Sequence, residues 1–224
     1  MKTSSKIFLA LLVLIVFSTL LVDLSLKSAY QKIRLDDPFK NYETMAVQPF
    51  HYLYLKGGNS YAIVFSQATK PTMKVMSSRK TFLTSTRHGD TLFIEFRVAG
   101  GSTKREPESL PRGLLIGGPA VREIQVDGSA VSLSNWKTDN LKVTLGGNAS
   151  AGFDYTHITQ LTINGNHNSI CNFTKANYIG QFNLSLKHSS VAFLSEISYT
   201  SFIPQLRDSS LLIFNAATAA KLKK

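Results

Sequence analysis

From Val121 to Asn215 the chain repeats itself at intervals of twenty residues. Lines of that length begin at Val121, Leu141, Leu161, Gln181 and Ser201. One column through them reads Val131, Ala151, Cys171, Val191, Leu211. Another, two residues on, reads Leu133, Phe153, Phe173, Phe193, Ile213. A line this short cannot bury its own apolar face, so a core forms only when successive lines stack. The repeat therefore dictates architecture and leaves chemistry open.

Within a line, apolar and polar residues alternate. Ile124 and Val126 flank Gln125, and Val131 and Leu133 flank Ser132. A period of two means strands with one face turned inward. Asp127-Gly128-Ser129 between them reads as a turn, and Gly146-Gly147-Asn148, Asn166-His167-Asn168, Lys187-His188-Ser189 and Arg207-Asp208-Ser209 repeat it. The strand before the turn drifts by one residue in the second and third lines, at Val143/Leu145 and Ile163/Gly165. A turn that changes length by one residue accounts for the drift, because a slip inside a strand would expose its apolar set. At ~3.3 Å per residue, a line makes two or three short strands with their corners. The expected fold is all-β: a single-stranded parallel β-helix, a β-solenoid of about twenty residues per coil. Phe153, Phe173 and Phe193 should form an internal aromatic stack. Ser129, Asn148, Asn168, Ser189 and Ser209 should form a polar ladder of structural role at one corner. Cys171, the only cysteine, excludes an intrachain disulfide and falls in an inward column, so it reads as a small buried hydrophobe.

Ahead of this lies a different signal. Ile7 to Val22 is apolar apart from Ser18 and Thr19, with Lys2 and Lys6 before it. The small-x-small cleavage pattern that follows is poor, and no cysteine stands ready to carry a lipid. Residues 1–24 are therefore expected to be an uncleaved signal anchor, an N-terminal transmembrane helix, with a cleaved signal peptide as the alternative. Residues 25–38 read as a polar linker, 39–215 as the β domain, and 216–224, rich in Ala and Lys, as a short cap or basic tail. Strands are expected around Tyr52–Tyr54, Ala62–Phe65, Met73–Met76, Phe82–Thr86, Leu92–Phe96 and Leu114–Ile116, with a polar loop at 100–111. The formal charge is +11, but the basic residues are scattered and form no run that names an anionic partner. The expectation is no nucleic acid.

The order of these features resembles a known family. Phe39 and Tyr42 precede a Gly57-Gly58-Asn59 turn, and His88-Gly89-Asp90 precedes a strand. Then Leu114 to Gly128 runs LLIGGPAVREIQVDG into near-equal repeats, with Glu123-Ile124, Val126, Gly128, Ser129 and Ala130 carrying the likeness. The pattern, from Phe39 to Phe214, resembles the bacterial family named "putative auto-transporter adhesin, head GIN domain". The resemblance implies an exported β-helical domain in a Gram-negative cell envelope, and no catalytic residues.

A search for chemistry returns little. His167, His188 and Asp208 approach one corner on successive lines, the best constellation for a metal, yet ordinary turn residues explain it. Glu123, Asp127, Asp139, Asp154, Glu196 and Asp208 fall at different phases, so no carboxylate pair spans a groove as glycoside hydrolysis needs. No phosphate-binding loop, dinucleotide fingerprint or nucleophile elbow occurs. No enzyme, no cofactor and no metal are expected. The leading expectation is a membrane-anchored adhesin or envelope scaffold with a glycan or protein as surface ligand. The alternatives are a carbohydrate-active β-helix enzyme and an anionic-polysaccharide-binding module contacting Lys187 and Arg207, which share a column.

Overall fold

The computed structural model describes residues 3–31, 39–57, 62–97, 112–215 and 218. The chain divides into two compact units, Met1–Asn41 and Tyr42–Lys224. In the first, one helix, α1, spans Thr3–Gln31 and runs on into the segment 25–38 read as a linker. Its Leu11–Ser28 window has a mean hydropathy of 2.0, and none of it is buried. Ser18 and Thr19 do not break the apolar surface. Their hydroxyls donate to the carbonyls of Ile15 and Val16, each at 2.8 Å, which hides both donors on the helix's own backbone. By length and composition α1 can cross a membrane, and a signal sequence passes the same test.

The second unit does not form the expected single-stranded β-helix. It is a sandwich of two mixed, mostly parallel sheets. The repeats supply its regular part. β8 (Glu123–Asp127), β10 (Lys137–Gly146), β12 (His157–Gly165), β14 (Asn177–Leu186) and β16 (Ile197–Leu206) lie side by side in an eight-stranded sheet. β9 (Ala130–Ser134), β11 (Ser150–Asp154), β13 (Ile170–Lys175), β15 (Val191–Leu194) and β17 (Leu211–Phe214) do the same in a nine-stranded one. Successive strands thus alternate between the sheets.

The amino-terminal strands break the winding order. β2 (Tyr52–Gly57) pairs parallel with β8, and β3 (Ala62–Gln67) with β9, although both partners come much later in the chain. β6 (Thr91–Phe96) extends the first sheet beyond β2, and β7 (Arg112–Gly118) extends the second beyond β3. Antiparallel neighbours then close these ends: β5 (Leu83–His88) on β6, β4 (Thr72–Met76) on β7, and β1 (Tyr42–Met45) on β4. A single-stranded solenoid has neither antiparallel pairs nor skipped neighbours, so the β-helix expectation fails here.

One core fills the space between the sheets. Trp136 locks the amino-terminal strands to the repeats: its indole N–H donates to the Phe65 carbonyl at 2.8 Å and its ring meets Phe65 edge-on at 4.7 Å. Phe153 and Phe173 stack at 4.6 Å and 12°, both fully buried. Phe193 does not join them. Phe153 pairs with Phe173 but Asp154 pairs with Lys175, which leaves Thr174 as an extra residue in a bulge. From there the spacing is twenty-one, with Ile158 on Ile179 and Cys171 on Ala192. Ala192 and Leu194 therefore face the core, while Val191 and Phe193 turn to the outer surface. The aromatic series crosses instead to Phe182 and Phe202 on the eight-stranded sheet and returns to Phe214 on β17.

The turn columns shift as well. Gly147-Asn148, His167-Asn168, His188-Ser189 and Asp208-Ser209 are consecutive left-handed residues. Gly, Asn, Asp and His tolerate that conformation best. Asn148, Asn168, Ser189 and Ser209 are consequently exposed. The buried ladder runs one residue later, where Ser169 donates to Ser190 at 3.0 Å and Ser190 to the Lys187 carbonyl at 2.6 Å. Ser129, the one expected member that is buried, donates to the Gly57 carbonyl.

At the carboxy-terminal end β16 is the edge of the eight-stranded sheet, and it contains Pro204. The Arg207 amide donates to Leu186, so Arg207 and every second residue before it point toward β14, and Pro204 points to the open edge. Proline is tolerated in strands at such positions. The expected cap or tail at 216–224 lies outside the described residues, apart from Thr218. That residue is buried, and its amide donates to Asn215 Oδ1 at 2.8 Å.

Candidate functional site: the outer face of the eight-stranded sheet

The parallel register draws side chains into straight rows across the strands. On the outer face one row reads Thr86, Phe93, Tyr54, Gln125, Thr144, Asn164, Ser185 and Gln205, one residue per strand. Eight strands at ~4.8 Å spacing make this face about 34 Å across. The chain builds it simply: strands that seal the core with one set of alternate residues turn the other set, here mostly polar, outward.

The face has two shallow depressions, each of about 290 Å³. One lies over β12, β14 and β16 and is lined by Thr162, Asn164, Asn183, Ser185, Ile203 and Gln205. The other lies over β2, β5 and β6. There the Tyr54 and Phe93 rings meet at 5.5 Å, and the His88 ring meets Phe93 edge-on at 5.4 Å. Lys56 and Glu95 close this end with an ion pair at 3.7 Å, and Arg97 reaches Glu95 at 3.9 Å. On the other flank of the row Lys142 pairs with Glu123 at 3.0 Å. All these pairs are solvent-exposed, so they fix little energy. Their effect is to set Lys56, Arg97 and Lys142 against carboxylates.

The residues singled out by sequence sit at one margin of this face. Leu186 pairs with Leu206, so Lys187 and Arg207 follow one another just past the strand ends, both exposed. His167, His188 and Asp208 do come together at that corner: the imidazoles stack at 4.9 Å, and His188 Nε2 lies 3.6 Å from Asp208 Oδ2. Among the described residues no three His, Cys, Asp or Glu side chains converge as metal ligands. Burial pushes the Cys171 thiol well above its ordinary range, so it stays protonated at neutral pH. Sequence reasoning missed the outer-face row. Its signal, polar residues between apolar ones, is visible, but only the pairing shows which of them become neighbours.

No protein-family model matches the chain, and no curated protein matches it. The head GIN domain resemblance is accordingly not upheld. Solved structures do resemble it. A putative adhesin from Bacteroides fragilis aligns at 12% identity and a TM-score of 0.47, covering 78% of this chain and 96% of that one. A putative lipid binding protein from Parabacteroides distasonis aligns at 11% and 0.41, covering 78% and 94%. A putative cell adhesion protein from Clostridium sporogenes aligns at 10% and 0.35, covering 77% and 97%.

Proposed function

We propose that this chain is an exported, membrane-anchored bacterial envelope protein that works by binding, as an adhesin or scaffold. On this reading α1 is the anchor and the outer face of the eight-stranded sheet is the contact surface. The observation that carries it is the continuous row from Thr86 to Gln205, which no described part of the second unit covers. A flat face with aligned side chains suits adhesion, because one long partner can touch every strand.

The test uses cells producing the full chain. Fractionation should recover it in membranes, and added protease should reach the β unit from outside the cytoplasm. Attachment of those cells to a surface should fall when Gln125 and Asn164 are both changed to Arg. A soluble cytoplasmic protein, or attachment indifferent to the changes, overturns the reading. A second reading places an anionic polymer on Lys187 and Arg207. Their succession at one exposed corner supports it. It requires an affinity that weakens with salt and drops in the Lys187→Gln/Arg207→Gln double variant.

A further inference from the structure

We infer that the outer face of the eight-stranded sheet binds an uncharged polysaccharide, laid across the strands along the Thr86–Gln205 row. The inference rests on the adhesive reading above and names its ligand class.

Three observations converge. The first is the aromatic end. Tyr54 and Phe93 are only partly buried on the outer face, and their rings stand side by side at 5.5 Å. The C–H face of a pyranose ring is apolar and packs on such rings, while its hydroxyls remain free for polar groups. The second is the comb that continues from them. Gln125, Thr144, Asn164, Ser185 and Gln205 present amides and hydroxyls, which both donate and accept. Sugar hydroxyls need both. None of the five side chains is spent on a hydrogen bond among the described residues. Their spacing is the ~4.8 Å step between strands, close to the span of one unit in an extended pyranose chain.

The third observation concerns charge. The whole chain carries +11, yet over β2, β6, β8 and β10 the cations flanking the comb are met by carboxylates. Lys56 and Arg97 meet Glu95, and Lys142 meets Glu123. Asp127 is the register neighbour of Lys56 on β8 and adds a further negative charge there. Among the described residues, the cations of these flanking rows that have no ion pair stand at one end, Lys187 and Arg207 just past β14 and β16. The match is to a ligand rich in hydroxyls and without charge.

The experiment immobilises insoluble glucan, chitin and mannan as uncharged probes, and alginate and pectate as anionic ones. The full chain in detergent is passed over each at low and high salt. Retention on at least one uncharged glycan, unchanged by salt, is expected. It should fall about tenfold in Tyr54→Ala and in Phe93→Ala, the loss of one stacking contact. It should survive in Tyr54→Phe, which keeps the ring, and in Lys187→Gln/Arg207→Gln. Circular dichroism identifies any variant that fails to fold, and Gln125→Ala/Asn164→Ala, wholly on the solvent side, then takes its place. Retention only on alginate or pectate, salt-sensitive, overturns the inference. So does full retention by folded Tyr54→Ala and Phe93→Ala. If no glycan retains the chain while cell attachment still depends on the face, the glycan falls and the adhesive reading stands. If attachment is lost from the face as well, both fall.

Discussion

Asn177 shows how much one buried amide can hold. Its carbonyl accepts from the amide and hydroxyl of Thr156, at 3.1 and 2.8 Å. Its amino group donates to the carbonyls of Phe153 and Glu196, at 3.1 and 3.2 Å. Three successive repeats are therefore tied at one corner, and every polar atom of the amide is paired. Asn177→Ala should cost about 2–4 kcal/mol in a denaturant titration, because it strands buried partners as well as removing bonds. Phe173→Ala should cost about 3–5 kcal/mol, the range for emptying a packed aromatic site. Phe193→Ala should cost about 1 kcal/mol or less, since that ring lies on the outside. Equal losses for the two phenylalanines would contradict the twenty-one-residue register of β13 and β15. Cys171 gives a simpler measurement. A maleimide should not label it in the native protein at pH 8 and should label it fully once the protein is unfolded. The buried thiol stays neutral after an unfolded one ionises, so this residue's share of the stability is complete below about pH 8.5 and declines as the pH rises above it.

At the scale of the element, Thr174 decides what the repeat conceals. The sequence shows lines of twenty, and by count Phe193 belongs under Phe173. A single residue inserted at the bulge sends it to the opposite face. Apolar residues occupy both sides of β15, so the alternation alone could not reveal the change. The turns were legible, since Gly, Asn, His and Asp mark left-handed positions by their chemistry. The strands of β8 to β17 were legible too, because they pair with near neighbours in the repeat. β2 and β3 were visible as strands but not as partners of β8 and β9, for nothing local encodes a pairing across so long an excursion. The outer-face row was hidden for the same reason. The bulge makes its own prediction. Thr174 is exposed, and among the described residues its side chain hydrogen-bonds to Asp154. Deleting it should restore the spacing of the preceding repeat and cost about 1 kcal/mol or less. Deleting Asn172, which lies in the paired part of the same strand, should prevent folding, because it moves Cys171 or Phe173 out of the core.

At the scale of the molecule, a stack of parallel strands has a hazard that a globular core does not: its last strand is a template for the next chain. The exposed Ile203 and Leu206 on β16 would reward such an addition. Pro204 stands between them and offers no N–H to an incoming strand. Replacing it with valine should leave the monomer's circular dichroism unchanged and produce association that grows with concentration in analytical ultracentrifugation. A P204V protein that stays monomeric would show that something else guards this edge. The proline thus separates two fates open to the same repeating pattern. With it, the β16 edge presents no N–H at this position to a further strand; without it, that edge becomes a template on which a second chain can continue the sheet.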